Sequence, residues 1–254
     1  ASKRAFSIGM GAFQLMNVTG IPIALHAATT LGNELGAFYA PAEILKTQVA
    51  KKENWDLSGN VDESKIDAII DRFWGVCLCV AAALVDEGVA SIEDTDRGAK
   101  IGLRWIRGPF EIMNKIGIDR TCAVVETITQ RYPDFRMPAI LQKQKELAQP
   151  FKFQFVDLSV KDDIAYITLN RPEAMNALNE GVMVQLDEQF RQAEKKPAVK
   201  AIVFQGAGKA FVAGADIRYF VQKIKAEQIP DIVAFTRRGH ELLQRIENSD
   251  KLTI

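Results

Sequence analysis

Residues 206–217 read Gly-Ala-Gly-Lys-Ala-Phe-Val-Ala-Gly-Ala-Asp-Ile. This glycine- and alanine-rich stretch follows a short apolar run, Ala201 to Phe204, that has the composition of a buried strand, and it precedes a segment with helical periodicity. Small residues let a ligand approach the backbone closely, and the N-terminus of a helix offers N–H groups without partners in the helix. The stretch therefore predicts a ligand-binding loop between a strand and a helix.

A phosphate-binding loop of the Walker type is one alternative for this stretch. Such a loop needs a glycine five positions before the Gly208-Lys209 pair and a serine or threonine after it. Those positions hold Val203 and Ala210, so the pattern fails. A second alternative, in which the stretch is only a tight strand-to-helix turn, stays open.

Residues 151–254 carry an α/β pattern around this loop. Hydrophobic residues follow a period of two before and after a Lys161-Asp162-Asp163 turn, which predicts a hairpin. The predicted elements are strands over 151–160 and 164–169, a helix over 179–194, a strand over 201–204, two helices separated at Pro230, and a strand that begins at 251–254. Because the chain stops as a strand starts, we expect it to be cut there.

The first 150 residues carry helical periodicity instead. The predicted helices cover 13–35, 41–52, 63–87 with Asp62 as its cap, 91–100, 109–131 and 138–147. The change of period near Pro150 separates an all-α half from an α/β half. Residue 1 is not a methionine, and we expect that it is not a natural start.

An internal repeat lies within the helical half. Residues 11–21 and 108–118 both read G-[AP]-F-[QE]-[LI]-M-N-x-x-G-I. Self-similarity of this kind predicts two copies of one helical unit that pack on each other.

The composition is that of an ordinary globular chain. Of its 254 residues, 48% are hydrophobic, and 32 Lys and Arg balance 32 Asp and Glu, so no net charge attracts nucleic acid or an anionic membrane. The cysteines, Cys77, Cys79 and Cys122, lack disulfide or metal-ligand spacing, so we expect core thiols, no metal and a reducing, cytoplasmic location. No apolar run reaches the roughly 20 residues of a membrane span.

The pattern T-L-N-R-P-E-A-M-N-A-L at 168–178, followed by K-A-F-V-A-G-A-D-I at 209–217, resembles the enoyl-CoA hydratase (crotonase) family. The resemblance implies that the N–H of Ala215 is one of two oxyanion-hole donors that polarise a thioester carbonyl. It places further residues around the CoA thioester: Ala174, Met175 and Ala177 beside pantetheine and adenine, and Ala213, Gly214, Asp216, Ile217 and Arg218 beside the thioester. For Arg218, a solvated charge at the start of a helix is an equal alternative.

The family's second oxyanion donor and its two catalytic glutamates lie beyond Ile254. Glu227, Glu241 and Glu247 fit polar helix faces and match no catalytic position. One oxyanion donor without acid–base groups is half a site. We therefore expect that this segment alone is inactive.

The helical half resembles the C-terminal domain of 3-hydroxyacyl-CoA dehydrogenases. The matching residues are L-V-D-E-G-V-A-S-I-E-D-T-D at 84–96 and G-P-F-E-I-M at 108–113. The family binds NAD in a preceding Rossmann domain, whose Gly-rich fingerprint is not found after a strand here. The resemblance places an Asn-Arg pair where this chain has Asp71-Arg72, so we expect a structural copy of the domain.

These patterns predict an α plus α/β chain in three parts: residues 1–58 as a partial helical dehydrogenase repeat, 59–150 as a second repeat, and 151–254 as the N-terminal part of a crotonase domain. The predicted parent hydrates trans-2-enoyl-CoA and oxidises 3-hydroxyacyl-CoA with NAD. The expected partners are acyl-CoA and the remaining Rossmann and crotonase portions, and a homo-oligomer is left open. The alternative is a non-catalytic acyl-CoA-binding or assembly module.

Overall fold

A computed structural model describes residues Ala1–Ile254. The chain forms two compact units, Ala1–Lys152 and Phe153–Ile254. The first contains helices but no strand, and the second contains a four-stranded sheet with helices. The predicted α plus α/β fold class is confirmed, and the unit boundary lies two residues after the predicted position at 150.

The helical unit contains nine α-helices. They are α1 Ser2–Phe6, α2 Ala12–Thr19, α3 Ile21–Leu35, α4 Glu43–Lys51, α5 Ile66–Asp86, α6 Ile92–Gly102, α7 Pro109–Ile116, α8 Ile118–Arg131 and α9 Ala139–Leu147. The predicted single helices over 13–35 and 109–131 are wrong. Each breaks at a glycine, because Gly20 has φ 104° and Gly117 has φ 87°, which a helix does not accommodate. Apolar periodicity continues across both breaks and conceals them in the sequence.

Helix α5 forms the core of this unit together with α7, α8 and α9. Gly75 allows α5 to approach α8 closely, because a Cβ atom there would lie 2.5 Å from the carbonyl oxygen of Val124. Leu78 and Ala82 of α5 and Val125 of α8 are fully buried. Burial also raises the pKa of the Cys77 and Cys79 thiols to about 11, as expected for core cysteines.

The two predicted repeats contact each other within the helical unit. The ring of Phe6 stacks on Trp105 with centroids 4.0 Å apart and meets Phe73 edge-on. Farther along, Phe38 meets Tyr132 edge-on at 4.7 Å. The boundary predicted at residue 58 stays a prediction, since residues 1–152 form one compact unit.

The segment Glu63–Asp86 is long and apolar enough to cross a membrane by length and composition, with a mean hydropathy of 1.9 over its best window. The expectation that no segment reaches this length is therefore wrong on that criterion. Core helices of globular proteins meet the same criterion, and this one packs against α7, α8 and α9.

Asp96 of α6 is a buried carboxylate that caps α7. Its two oxygens accept the backbone N–H groups of Phe110 at 2.7 Å and Glu111 at 3.0 Å. These are unpaired donors at the start of a helix, which a carboxylate satisfies. Burial raises the pKa of Asp96 to about 7, and the two N–H donors only partly oppose that shift.

The stability of the helical unit is expected to depend on pH through Asp96. The carboxyl group of Asp96 has a higher pKa in the folded chain than in the unfolded chain, so the folded state binds its proton more tightly. The free energy of unfolding should therefore fall as pH rises from about 4 through about 7. Asp96→Asn should flatten that slope, whereas Asp94→Asn, an exposed change on the same helix, should not. Urea unfolding followed by tryptophan fluorescence reports this unit alone, because Trp55, Trp74 and Trp105 all lie in it. Equal slopes in all three proteins would contradict the assignment.

The second unit is built on a sheet with strand order β1-β2-β3-β4. Its elements are β1 Val156–Lys161, β2 Ile164–Leu169, α10 Glu180–Glu194, β3 Ala201–Gly206, α11 Ile217–Lys225, α12 Ile229–Glu247 and β4 Leu252–Thr253. The predicted hairpin is confirmed, although β1 begins at Val156 rather than at 151. Pro230 lies in the first turn of α12, and the break precedes it.

Sequence chemistry explains the main features of this unit. Asp162 and Asp163 have φ 50° and 62°, which turns the antiparallel β1–β2 hairpin. The helix predicted over 179–194 is confirmed as α10, and the side chain of Asn179 caps it by accepting the N–H of Val182 at 3.0 Å. The core joins Ile167 and Ile202 of the sheet to Phe190 of α10.

Candidate functional site

Two loops meet at one edge of the sheet. The first, residues 170–178, follows β2, and the second, residues 207–216, follows β3. Strands β2 and β3 are parallel neighbours in which Leu169 pairs with Gly206, so both loops leave the sheet side by side. In open α/β sheets this edge, beyond the carboxyl ends of the strands, is where ligands commonly bind.

Asn176 is the buried residue that joins the two loops. Its side-chain oxygen accepts the N–H of Arg171 at 2.8 Å, and its amide donates to the carbonyl oxygens of Ala207 at 3.0 Å and Ala210 at 2.8 Å. Asn176 is completely buried and has φ 55°, a left-handed conformation that asparagine tolerates. One side chain thus satisfies three backbone groups in two separate loops.

Backbone hydrogen bonds complete the junction of the loops. Ala213 donates its N–H to the carbonyl oxygen of Met175 at 3.1 Å, and Ala207 donates to Leu169 at 2.8 Å. Gly206 allows this close approach, because a Cβ atom there would lie 2.4 Å from the carbonyl oxygen of Ala210. The loops are therefore held by their main chains as well as by Asn176.

Ala215 presents an unpaired backbone N–H. Ala215 forms an isolated parallel β-bridge with Leu178, but the residues on either side of Ala215 make the hydrogen bonds of this bridge. The N–H of Leu178 donates to the carbonyl oxygen of Gly214, and the N–H of Asp216 donates to the carbonyl oxygen of Leu178, each at 2.8 Å. In that pattern the N–H of Ala215 points away from Leu178. The residue is exposed, and its N–H makes no hydrogen bond with the rest of the chain. This donor is available to a ligand.

Asp216, the residue after Ala215, is paired with Arg171. The guanidinium of Arg171 donates to its carboxylate at 2.7 Å and to the carbonyl oxygen of Ala177 at 3.1 Å. The other carboxylate oxygen caps α11 by accepting the N–H of Arg218 at 3.0 Å. Burial acts to raise the pKa of Asp216. The hydrogen bond from Arg171, the positive charge of Arg171 and the N–H groups at the start of α11 together outweigh burial, so the pKa of Asp216 lies below its usual value.

The pair between Arg171 and Asp216 is expected to stabilise the α/β unit. Both side chains are mostly buried, and removing one partner leaves the other charge without compensation. A double-mutant cycle compares Arg171→Gln, Asp216→Asn and the variant with both changes, with stability measured by hydrogen exchange in β2 and β3. We expect the two single effects to differ from the combined effect by a coupling energy of about 1–2 kcal/mol. Because the pKa of Asp216 is lowered, this stabilisation is present at neutral pH and lost as pH falls below about 4. Additive single effects would contradict the pairing.

The residues predicted to form the site all lie on these two loops or at the start of α11. Ala174 ends a short 3-10 turn over Pro172–Ala174, Met175 follows it, and Ala177 is half-buried. Ala213, Gly214, Ile217 and Arg218 are exposed. Their contacts with a ligand stay predictions, and the carboxylate of Asp216 already has partners within the chain.

Sequence reasoning did not single out Asn176 or Arg171, although both lie in the quoted motif. Asparagine and arginine in a loop usually face water, and only the fold shows that these side chains are enclosed.

Comparison with known proteins matches each half to one family. Residues 69–150 match the 3-hydroxyacyl-CoA dehydrogenase C-terminal domain, and residues 164–254 match the enoyl-CoA hydratase/isomerase family. The helical half of the chain is therefore similar to the dehydrogenase domain, and the α/β half is similar to the enoyl-CoA hydratase/isomerase family. The two matches support a link to fatty-acid β-oxidation.

Two relatives agree with the second match by sequence. A crotonyl-CoA hydratase of Syntrophomonas wolfei is 31% identical over 96 residues, which are 37% of this chain and 36% of that protein. A mitochondrial enoyl-CoA hydratase of Pongo abelii is 49% identical over 55 residues, 22% of this chain and 19% of the relative. The crystal structure of an enoyl-CoA hydratase from Thermoplasma volcanium has 35% identity and a TM-score of 0.36, covering 40% of this chain and 39% of that one. The chain spans between 19% and 39% of the length of these relatives.

Proposed function

We propose that these residues are part of a bifunctional β-oxidation enzyme that hydrates trans-2-enoyl-CoA and oxidises the resulting 3-hydroxyacyl-CoA with NAD. The observation that carries the proposal is the presence of both family segments in one chain, the dehydrogenase domain first and the hydratase segment second. The product of hydration is the substrate of oxidation, so the two activities act in sequence.

In the hydratase segment, the proposed role of the loop pair is to bind and polarise a CoA thioester. The unpaired N–H of Ala215 would donate to the thioester oxygen as negative charge develops on it. Ala174, Met175 and Ala177 would face pantetheine and adenine, and Ala213, Gly214, Ile217 and Arg218 would line the thioester. Because Asn176 and the backbone bonds hold the loops, the donor needs little reorganisation when substrate binds.

We further propose that residues 1–254 alone do not catalyse hydration. Adding water across a C=C bond needs a group that accepts a proton and one that donates it. The carboxylate next to the donor, Asp216, is held ionised by Arg171 and the start of α11, so it is a poor proton donor. Ala215 therefore supplies polarisation without acid–base chemistry.

For the helical unit we propose a structural role. Asp71 lies where the family resemblance places an asparagine. Each of its two carboxylate oxygens accepts a hydrogen bond from the same guanidinium nitrogen of Arg120, at 2.7 Å. Its neighbour Arg72 donates to the hydroxyl of Tyr132 at 2.7 Å. Both side chains make hydrogen bonds within the unit, which supports a structural role rather than a catalytic one. NAD would bind in a Rossmann portion of the parent. A cytoplasmic location remains part of the proposal.

Sequencing the coding DNA beyond both ends of this chain tests the proposal. We expect a strand followed by a Gly-rich Rossmann turn upstream, and a Gly-rich loop followed by glutamates downstream. A start codon next to Ala1 together with a stop codon after Ile254 would overturn the enzyme proposal. A non-catalytic acyl-CoA-binding or assembly module would then be the better interpretation.

A further inference from the structure

A cavity lies between α5 and α8 in the helical unit and shares no residue with the candidate site. Its volume is about 360 Å³, at the lower end of the range for small-molecule pockets. Four of the residues that line it are charged, namely Asp71, Arg72, Arg120 and Arg131. We call it the arginine cavity. Because three of the four charges are positive, the cavity suits an anion unless the chain itself neutralises them.

The chain neutralises only one of these arginines. Both carboxylate oxygens of Asp71 accept hydrogen bonds from Arg120, so the charges of this pair offset each other. Asp71 is the only acidic residue in the wall of the cavity. Neither Arg72 nor Arg131 forms an ion pair with a carboxylate, since their contacts are with Tyr132 and Phe38. Two positive charges therefore remain uncompensated.

Tyr132 holds both of these guanidinium groups. The central carbon of the Arg72 guanidinium lies 5.1 Å from the centroid of the Tyr132 ring, and that of Arg131 lies 5.5 Å from it. Arg72 also donates a hydrogen bond to the Tyr132 hydroxyl at 2.7 Å. An aromatic ring attracts a cation at this distance and limits the orientations of a planar guanidinium. The two arginines are thus oriented before any ligand binds.

This arrangement favours a bound anion. Two guanidinium groups against one ring repel each other, and an anion that contacts both would offset that repulsion. A guanidinium has five N–H donors, of which Arg72 uses one within the chain and Arg131 uses none. Both side chains are exposed, so the remaining donors can reach a ligand. Arginine forks match the oxygens of carboxylates and phosphates.

Charge and shape distinguish between these two kinds of anion. A phosphomonoester carries close to two negative charges at neutral pH, which matches the two uncompensated arginines, whereas a carboxylate carries one. The rest of the wall is mainly apolar and includes Ala68 and Ala123, whose small side chains are exposed. Such a wall suits an organic group attached to the phosphate better than a free ion surrounded by water.

We propose that the arginine cavity binds a phosphomonoester. Arg72 and Arg131 donate to the phosphate oxygens, and the organic group of the ester lies against Ala68 and Ala123. Asp71 keeps Arg120 engaged and takes no part in binding. This inference does not rest on the enzymatic proposal, because it involves neither the Ala215 donor nor the NAD-dependent reaction.

Titration calorimetry of the 254-residue chain tests the proposal with three probes at one ionic strength: phenyl phosphate, inorganic phosphate and benzoate. Phenyl phosphate should bind at one site with a Kd below about 1 mM. It should bind about threefold or more tightly than inorganic phosphate, and about tenfold or more tightly than benzoate. Equal affinity for inorganic phosphate would contradict an ester as the ligand. Equal affinity for benzoate would contradict recognition of phosphate.

Arginine variants locate the binding site. Arg131→Gln should weaken phenyl phosphate binding about tenfold, and it should fold normally because Arg131 makes no hydrogen bond within the chain. Arg72→Gln should have a similar effect, with its fold checked by tryptophan fluorescence. Arg107→Gln is the matched control: it removes the same charge from an exposed arginine outside the cavity and should change the Kd less than about twofold. No saturable binding by the unaltered chain, or equal losses in Arg131→Gln and Arg107→Gln, would overturn the proposal.

Discussion

Replacing Ala215 with proline is expected to lower the rate of crotonyl-CoA hydration by the complete enzyme about 100- to 1,000-fold, the usual effect of losing one oxyanion donor. Proline removes the N–H of Ala215, and the adjacent bridge does not use that group. Leu178 still donates to Gly214, and Asp216 still donates to Leu178. The variant therefore removes a donor at the ligand side while the loop keeps its hydrogen bonds.

Ala215→Ser is the matched control, since it changes the side chain and retains the N–H. Its kcat should stay within about threefold of the unaltered enzyme, and the loss in Ala215→Pro should fall on kcat more than on KM. Steady-state hydration of crotonyl-CoA measures both. If Ala215→Ser and Ala215→Pro lower kcat equally, the loss of the backbone N–H does not account for the effect.

Replacing Asn176 with alanine should destabilise the α/β unit by about 3 kcal/mol, because one buried N–H and two buried carbonyl oxygens lose their partner. The three affected groups belong to Arg171, Ala207 and Ala210. Hydrogen exchange in β2 and β3 is the appropriate measurement, since tryptophan fluorescence does not report this unit. Protection there should fall by about two orders of magnitude.

Asn248→Ala is the control for that change, because Asn248 is exposed and bonds only to Gln244 one helical turn earlier. It should alter protection by less than about threefold. Asn176→Asp tests the amide itself: a carboxylate keeps the size but opposes two carbonyl oxygens, so it should be at least as damaging as alanine. A tolerated aspartate would show that the bonds from the Asn176 amide contribute little.

The sequence predicted the elements better than their breaks. Helices α9 and α10 and the β1–β2 hairpin follow from local patterns: Pro138 before α9, the Asn179 cap, and the Asp162-Asp163 turn. The breaks at Gly20 and Gly117 do not, because the residues on either side share one apolar stripe. A glycine's positive φ is decided by tertiary packing rather than by its neighbours.

The candidate site, too, could be predicted only in part from the sequence. The motif located both loops, and parallel pairing of β2 with β3 brings them together as the strand–helix–strand pattern requires. What holds the two loops together was not predictable, because the two bonds donated by the Asn176 amide and the Arg171–Asp216 pair join residues more than 30 positions apart. Such contacts leave no periodic trace in a single sequence.

The repeat shows a further limit of sequence patterns. Eight matching positions in an eleven-residue stretch predicted a doubled helical unit, but they gave no indication that Phe13 is exposed whereas the equivalent Phe110 is buried. Phe110 lies on α7, and α5, which lies outside the repeated motif, packs on α7, α8 and α9. Burial can be assigned only when the covering element is known.

The formation of NADH from crotonyl-CoA and NAD tests the central claim most directly, because it requires hydration and then oxidation by the same polypeptide. Both the complete reading frame that contains these residues and the 254-residue chain would be assayed. We predict that the complete protein forms NADH and that the 254-residue chain does not. Absence of NADH from the folded complete protein, or its formation by the 254 residues alone, would contradict the account.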